Sequence, residues 1–262
     1  MAMSNPAFTR SSAFQAPTAA QATLSAAELQ KLYEGPDATG HDTDRMTVED
    51  TIVKTVASFV ILVATAVIGW MFPAVMIPAM IVGFVLALVN IFKKEPSPGL
   101  ILLYAAAQGL FIGAISMFFE QMYAGIVTQA VLATLAVVGV TLALFASGKI
   151  RASKKATKVF LIVMVGYLVF SLINFALISF GTIESPFGVR SMTIFGIPLG
   201  IVLGILAVLL GAYSLVLDFD FIQRGVANRA PRKYGWRGAF GIMVTVIWLY
   251  VELLRMFAIA RD

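Results

Sequence analysis

The sequence predicts an all-α integral membrane protein: a seven-transmembrane-helix bundle behind a polar, largely flexible amino-terminal segment. Three observations predict it. Of 262 residues, 60% are apolar and 13% charged, with a mean hydropathy of +0.91, against roughly 45–50% and about 25% in a soluble domain. The charges cluster at intervals and leave long uncharged runs between them. Those runs number seven, and each approaches the roughly 20 residues a helix needs to cross a bilayer at about 1.5 Å rise per residue. Helices are the expected spanning element, because the backbone must satisfy itself in lipid and no barrel-type alternation is present.

The elements follow in order. Residues 1–50 read as a cytoplasmic tail, partly disordered, and 51–262 as the membrane domain. The tail is rich in Ala, Ser, Gln and Thr, with Asn5-Pro6 and Gly35-Pro36 as breakers. No apolar stretch follows a basic start, so it does not read as a signal peptide. Ser25 to Glu28 fits a capping box that opens a short helix through Leu29 and Leu32. Thr47 reads as a second N-cap, with Glu49 and Asp50 in the first turn. Lys54 is the last charge before the membrane. The apolar runs are Thr55–Phe72, Pro73–Phe92, Gly99–Phe119, Ile126–Ser147, Val159–Phe180, Met192–Ile222 and Phe240–Ala260. Pro73 marks a tight external turn between the first two. The sixth run is overlong, which implies tilt, a kink at Pro198 or an interfacial extension. Gly109 and Gly113, and Gly196, Gly200 and Gly204, are spaced for close helix approach, although glycine is also simply common in membrane helices.

Composition excludes several classes of function. The chain has no cysteine and one histidine, His41, which precedes the first run. Disulfides, thiolate metal sites, multi-histidine metal sites and histidine-based catalysis are therefore out. The pI near 9.5 does not point to nucleic acid, because the basic residues lie between apolar runs and describe a topology. Lys93 and Lys94 follow run two. Lys149, Arg151, Lys154, Lys155 and Lys158 follow run four, and Arg224, Arg229, Arg232, Lys233 and Arg237 follow run six. These alternate loops hold twelve basic residues and the opposite loops one, Arg190. The positive-inside rule puts the twelve in the cytoplasm, the amino terminus inside and the carboxyl terminus outside, in a multi-pass protein of the cell membrane.

Ionisable residues at membrane depth are functional-site hypotheses by default. They are Asp218 and Asp220 near the inner end of helix six, and Glu252 and Arg255 in helix seven. Glu120 and Glu184 fall at loop edges and read as solvated. Asp218 and Asp220 point about 200° apart on a helix, so only one faces the bundle interior. Asp220 has Arg224 at i+4 as an ion-pair partner, and Glu252 has Arg255 at i+3. Asp218 has no basic residue one turn away and has Ser214 below it, which makes it the better interior carboxyl. Two carboxyls meeting in a low-dielectric interior do not ionise independently. Protonated, they share a hydrogen bond; ionised, they offer oxygens to a hard cation such as calcium. An Asp218–Glu252 pair would couple pH to cation passage, with Arg255, Lys93 and Lys94 as compensating charges and calcium held only transiently. Depth argues against the pair: Glu252 lies about 18 Å into run seven, whereas Asp218 lies only about 6–10 Å from its own helix end. They meet only if helix six runs past Arg224 or helix seven starts deeper than its apolar run.

The run Leu217-Asp218-Phe219-Asp220-Phe221-Ile222, the run from Trp248 to Phe257 around Glu252, and Tyr104 to Gly113 in helix three resemble the Bax inhibitor motif family. The long polar segment before Met46 is similar to that of a bacterial branch. The resemblance covers residues 46–262. It implies a helix-six carboxyl partnered with a helix-seven carboxyl as a pH-sensing latch on a calcium leak, with Asp218 as the first and Glu252 as the second. Glutamate stands where the family has aspartate. Phe219-Asp220 stands where it has a polar pair, so Asp220 is an alternative first carboxyl.

The expected function is a pH-sensitive calcium or cation leak channel, gated by a carboxyl pair between helices six and seven, with no cofactor. The alternative is a non-conducting regulator that binds other membrane proteins, such as a membrane-bound protease. An enzyme is not expected. An intramembrane serine hydrolase needs a base beside its nucleophile, and an aspartyl protease needs a second aspartate where Glu252 stands beside a cation.

Overall fold

The computed structural model describes residues 44–262. Seven helices follow one another: α1 (Val48–Met71), α2 (Met76–Phe92), α3 (Pro98–Met122), α4 (Ile126–Ala146), α5 (Lys154–Ser179), α6 (Leu199–Ala227) and α7 (Gly235–Ile259). All are long and apolar enough to cross a membrane, α2 together with the 3-10 turn that leads into it, Pro73–Phe92. The helix expected after Ser25, and His41, lie outside the described residues.

Local chemistry sets the helix ends. The Thr47 side chain accepts from the Asp50 amide at 3.1 Å and caps α1. A 3-10 turn, Pro73–Val75, links α1 to α2 where Pro73 predicts a turn. Pro98 occupies the first turn of α3, where its missing N–H costs nothing. Ser153 caps α5 through the Ala156 amide. Glu120 departs from its expected role as a merely solvated edge. Its two carboxylate oxygens accept from the Gly125 and Val127 amides, at 2.5 and 3.0 Å, at the start of α4. A helix N-terminus favours such an anion.

The sixth apolar run is not one helix. Its first residues form a two-stranded antiparallel hairpin, β1 (Thr193–Ile194) and β2 (Ile197–Pro198), turned through Phe195 and Gly196, both at positive φ. α6 begins only after Pro198 and then continues past Arg224 to Ala227. Hydropathy alone does not separate an apolar hairpin from an apolar helix.

α7 is the hub of the bundle. In its most apolar window 56% of residues are buried, against 11% for α5. Met243, Leu249 and Leu254 are fully enclosed, and Tyr104 of α3 sets its ring edge-on to Phe240 at 5.1 Å. The glycine spacing in α3 proves specific. A Cβ on Gly109 would collide with Thr65 and the Leu62 carbonyl, and one on Gly113 with the Ala66 carbonyl, so α1 and α3 pack backbone to backbone. Outward faces carry exposed Val63, Phe84, Leu135, Leu172 and Phe175, a distribution suited to lipid. This is a multi-pass membrane protein.

The three basic loops lie at one end. Lys233 of the α6–α7 connection pairs with Glu95 of the α2–α3 connection at 2.9 Å, and Arg151 before α5 donates to Gln223 of α6 at 3.2 Å. The strand-like segment before α1 is tied to the same end. The Met46 amide donates to the Ala230 carbonyl at 2.8 Å, and the Arg232 amide to the Asp44 carbonyl at 3.0 Å. Lys54 is more than a boundary marker. It is buried, pairs with Asp50, and donates to the Arg232 carbonyl at 2.8 Å, while the Arg232 guanidinium grips Asp50 at 2.8 Å. The opposite end gathers the α3–α4 and α5–α6 connections and the chain end, where Arg261 donates to the Ala124 carbonyl.

Candidate functional site

Asp218 sits in the α6–α7 interface, half-buried. The Thr245 hydroxyl of α7 donates to its Oδ2 at 2.8 Å. The Ser214 hydroxyl, one turn before Asp218, lies 3.1 Å from the same Thr245 oxygen. Oδ1 faces Gly241, where a Cβ would stand 2.6 Å away. One carboxylate and two hydroxyls are thus strung across the interface, and a glycine on α7 makes room for them. Asp220 faces elsewhere and pairs with the exposed Arg224 at 2.5 Å, the i,i+4 arrangement its spacing predicts.

Glu252 belongs to a different cluster. It is 4% exposed and lies between two arginines: Arg255 donates to Oε1 at 2.8 Å and Arg190 to Oε2 at 3.2 Å. Arg190 comes from the 3-10 turn Gly188–Ser191 between α5 and α6 and is itself 2% exposed. Its second nitrogen donates to Tyr167 at 2.9 Å and Ser171 at 3.3 Å, and the guanidinium lies 5.3 Å from the Tyr167 ring centre. Asn174 fixes the turn by accepting from the Val189 amide at 2.7 Å and donating to the Phe187 carbonyl at 3.3 Å.

The structure does not bring Asp218 and Glu252 together. Extension of α6 past Arg224 was one condition for their meeting, and it is met, but α7 also starts earlier than its apolar run, at Gly235. By helical rise Asp218 is about 13 Å from the basic end of α6, Thr245 about 15 Å into α7, and Glu252 about 25 Å. Thr245 is therefore the residue level with Asp218, and Glu252 lies two turns beyond. Lys93 and Lys94 are exposed in the α2–α3 connection and, among the described residues, form no ion pair with either carboxyl. Among the described residues no three His, Cys, Asp or Glu side chains converge as a metal site.

Two residues escaped the reading of the sequence. Arg190 counts there only as the lone basic residue of the far loops. The signal for it was a polar stripe, Tyr167, Ser171 and Asn174, at i, i+4 and i+7 on an otherwise apolar helix. Thr245 had a fainter signal: Gly241 and Thr245 repeat at i, i+4 on α7, as Ser214 and Asp218 do on α6.

The family model described as Bax inhibitor 1 like matches residues 5–262, so the chain belongs to that family. Comparison with the curated proteins finds no match.

Proposed function

We propose that this member of the Bax inhibitor 1 like family is a pH-sensitive cation leak pathway, with calcium as cargo, whose controlling carboxyl is Asp218. The observation that carries the reading is the row Asp218–Thr245–Ser214 across the α6–α7 interface. Intramembrane carboxylates mark ion pathways by default, and oxygen donors on a carboxylate and hydroxyls suit a hard cation. Protonated Asp218 is neutral and closes against Thr245. Ionised, it attracts a cation to the interface and opens it. The charged groups on the packed elements at this end are Asp220 and Arg224 on α6, Arg237 at the start of α7, Glu49, Asp50 and Lys54 on α1, and Lys154, Lys155 and Lys158 on α5. Asp220 pairs with Arg224 and Asp50 with Lys54. The basic end is cytoplasmic by the positive-inside rule, so Asp218 is reached from the cytoplasm. The protein is not an enzyme on this reading.

The test is calcium flux from vesicles containing the purified full-length protein, measured at several pH values. Flux that rises with pH supports the reading. Absence of calcium and monovalent-cation flux at every pH overturns it and favours a regulator acting through its apolar faces.

A further inference from the structure

The geometry points to Arg190 as a charge barrier that closes the far half of the same pathway. The inference rests on the cation-leak reading. The cluster around Glu252 holds two guanidiniums and one carboxylate, so it carries one net positive charge well inside the bundle. Both Arg190 and Glu252 are almost fully enclosed. Arg255, with its side chain 32% exposed, would by itself neutralise Glu252. Arg190 is thus the surplus charge, and Coulomb repulsion from it is little screened at such burial. A cation that passes Asp218 meets a positive group about two helical turns further on, and Glu252 has no free oxygen to offer it.

The surplus charge is also held in a way that permits release. Arg190 is not part of a spanning helix but of a four-residue turn. That turn is clipped to α5 by Asn174, and α5 is the helix least enclosed by the bundle. Gly200 lets α6 approach the turn: a Cβ there would lie 3.1 Å from the Arg190 carbonyl oxygen. Withdrawal of the turn with α5 would take Arg190 off Glu252 and leave a Glu252–Arg255 pair of zero net charge.

The experiment compares calcium and potassium flux through reconstituted full-length protein at one fixed pH. Arg190→Gln brings the cluster to zero net charge and is expected to raise potassium flux about tenfold and calcium flux about a hundredfold, the effects of one charge some 10 Å from a monovalent and a divalent cation at an effective dielectric near 20. Arg190→Lys keeps the charge but loses the three-way fork, and is expected to stay at the wild-type flux. A purely structural role would make it leak like the glutamine variant. Arg190→Gln with Glu252→Gln leaves one positive charge again, on Arg255, and is expected to return flux to the wild-type level. Should Arg190→Gln fail to fold, Arg255→Gln removes a charge from a more exposed position and is expected to raise flux by a smaller factor. Wild-type conduction with no gain in either single glutamine variant overturns the barrier, as does a leaking Arg190→Lys. No flux in any protein, wild type included, is instead the failure of the leak reading itself.

Discussion

Asp218 and Glu252 are both carboxylates on two helices packed against each other, α6 and α7, yet they are held in opposite ways. Asp218 has one hydroxyl donor and a glycine facing it and, among the described residues, no cation in contact. Glu252 is enclosed between two guanidiniums. The first environment leaves a proton free to come and go without the loss of an ion pair. The second makes the charge of Glu252 a structural necessity, because its removal strands Arg190. Residue type and membrane depth alone therefore do not identify the working carboxylate. The partners do.

The largest effect expected from breaking this contrast is on stability. Glu252→Ala should cost about 3–5 kcal/mol, the penalty for leaving a buried partner uncompensated, read as unfolding of the detergent-solubilised protein. Asp218→Asn keeps an acceptor for Thr245 and should cost no more than about 1 kcal/mol. A reversed order would mean that the two sites have been assigned the wrong way round.

Next in size is Gly241→Ala. The added methyl would stand 2.6 Å from Asp218 Oδ1, so the carboxylate must move, at a cost of about 1–3 kcal/mol. Calcium flux should fall with it. Thr245→Val is nearly isosteric and removes the donor to Oδ2, for about 1–3 kcal/mol, again with reduced flux. Unchanged flux in both variants would separate Asp218 from the pathway.

These contacts mark the limit of what was legible in the sequence. The seven helices, the Thr47 cap and the sharing of one end by the basic loops follow from apolar run length, capping chemistry and charge placement, which are local properties. The Met192–Ile197 stretch misleads because hydropathy sees only its apolar side chains. Gly196 and Pro198 were the signs of a turn. Thr245 and Glu252 share one face of α7, so whether Asp218 meets one or the other is a matter of how far α7 is shifted along α6, which is set by packing such as that of Tyr104 on Phe240. The depth arithmetic already spoke against the pair. Nothing local announces that Arg190 turns inward, since a basic residue beside an apolar run reads as an interfacial anchor.

Smaller effects fall at the basic end. Neutralising Asp220 or Arg224 should cost only about 0.3–0.5 kcal/mol, as for any exposed i,i+4 pair, and should leave the pH profile of flux unchanged. A larger effect at Asp220 than at Asp218 would make Asp220 the interior carboxyl. The Glu95–Lys233 pair should matter least. A hydrogen bond from Lys233 and its positive charge hold the Glu95 carboxyl below the usual carboxylate range. The contribution of this pair is thus complete above the ordinary glutamate value and is lost as pH falls through the lowered one. Salt should weaken it, and Glu95→Gln should remove that small acid dependence of unfolding.

The central claim is that Asp218 senses protons without Glu252. Its most direct measurement is the pH profile of calcium flux for the wild type, Asp218→Asn, Glu252→Gln and the double variant in the same vesicles. The account predicts a flattened profile for Asp218→Asn, a profile of wild-type shape at altered amplitude for Glu252→Gln, and additive behaviour in the double variant. Flattening by either substitution alone, with nothing further lost in the double, would show that the two carboxyls act as one coupled pair and would contradict it.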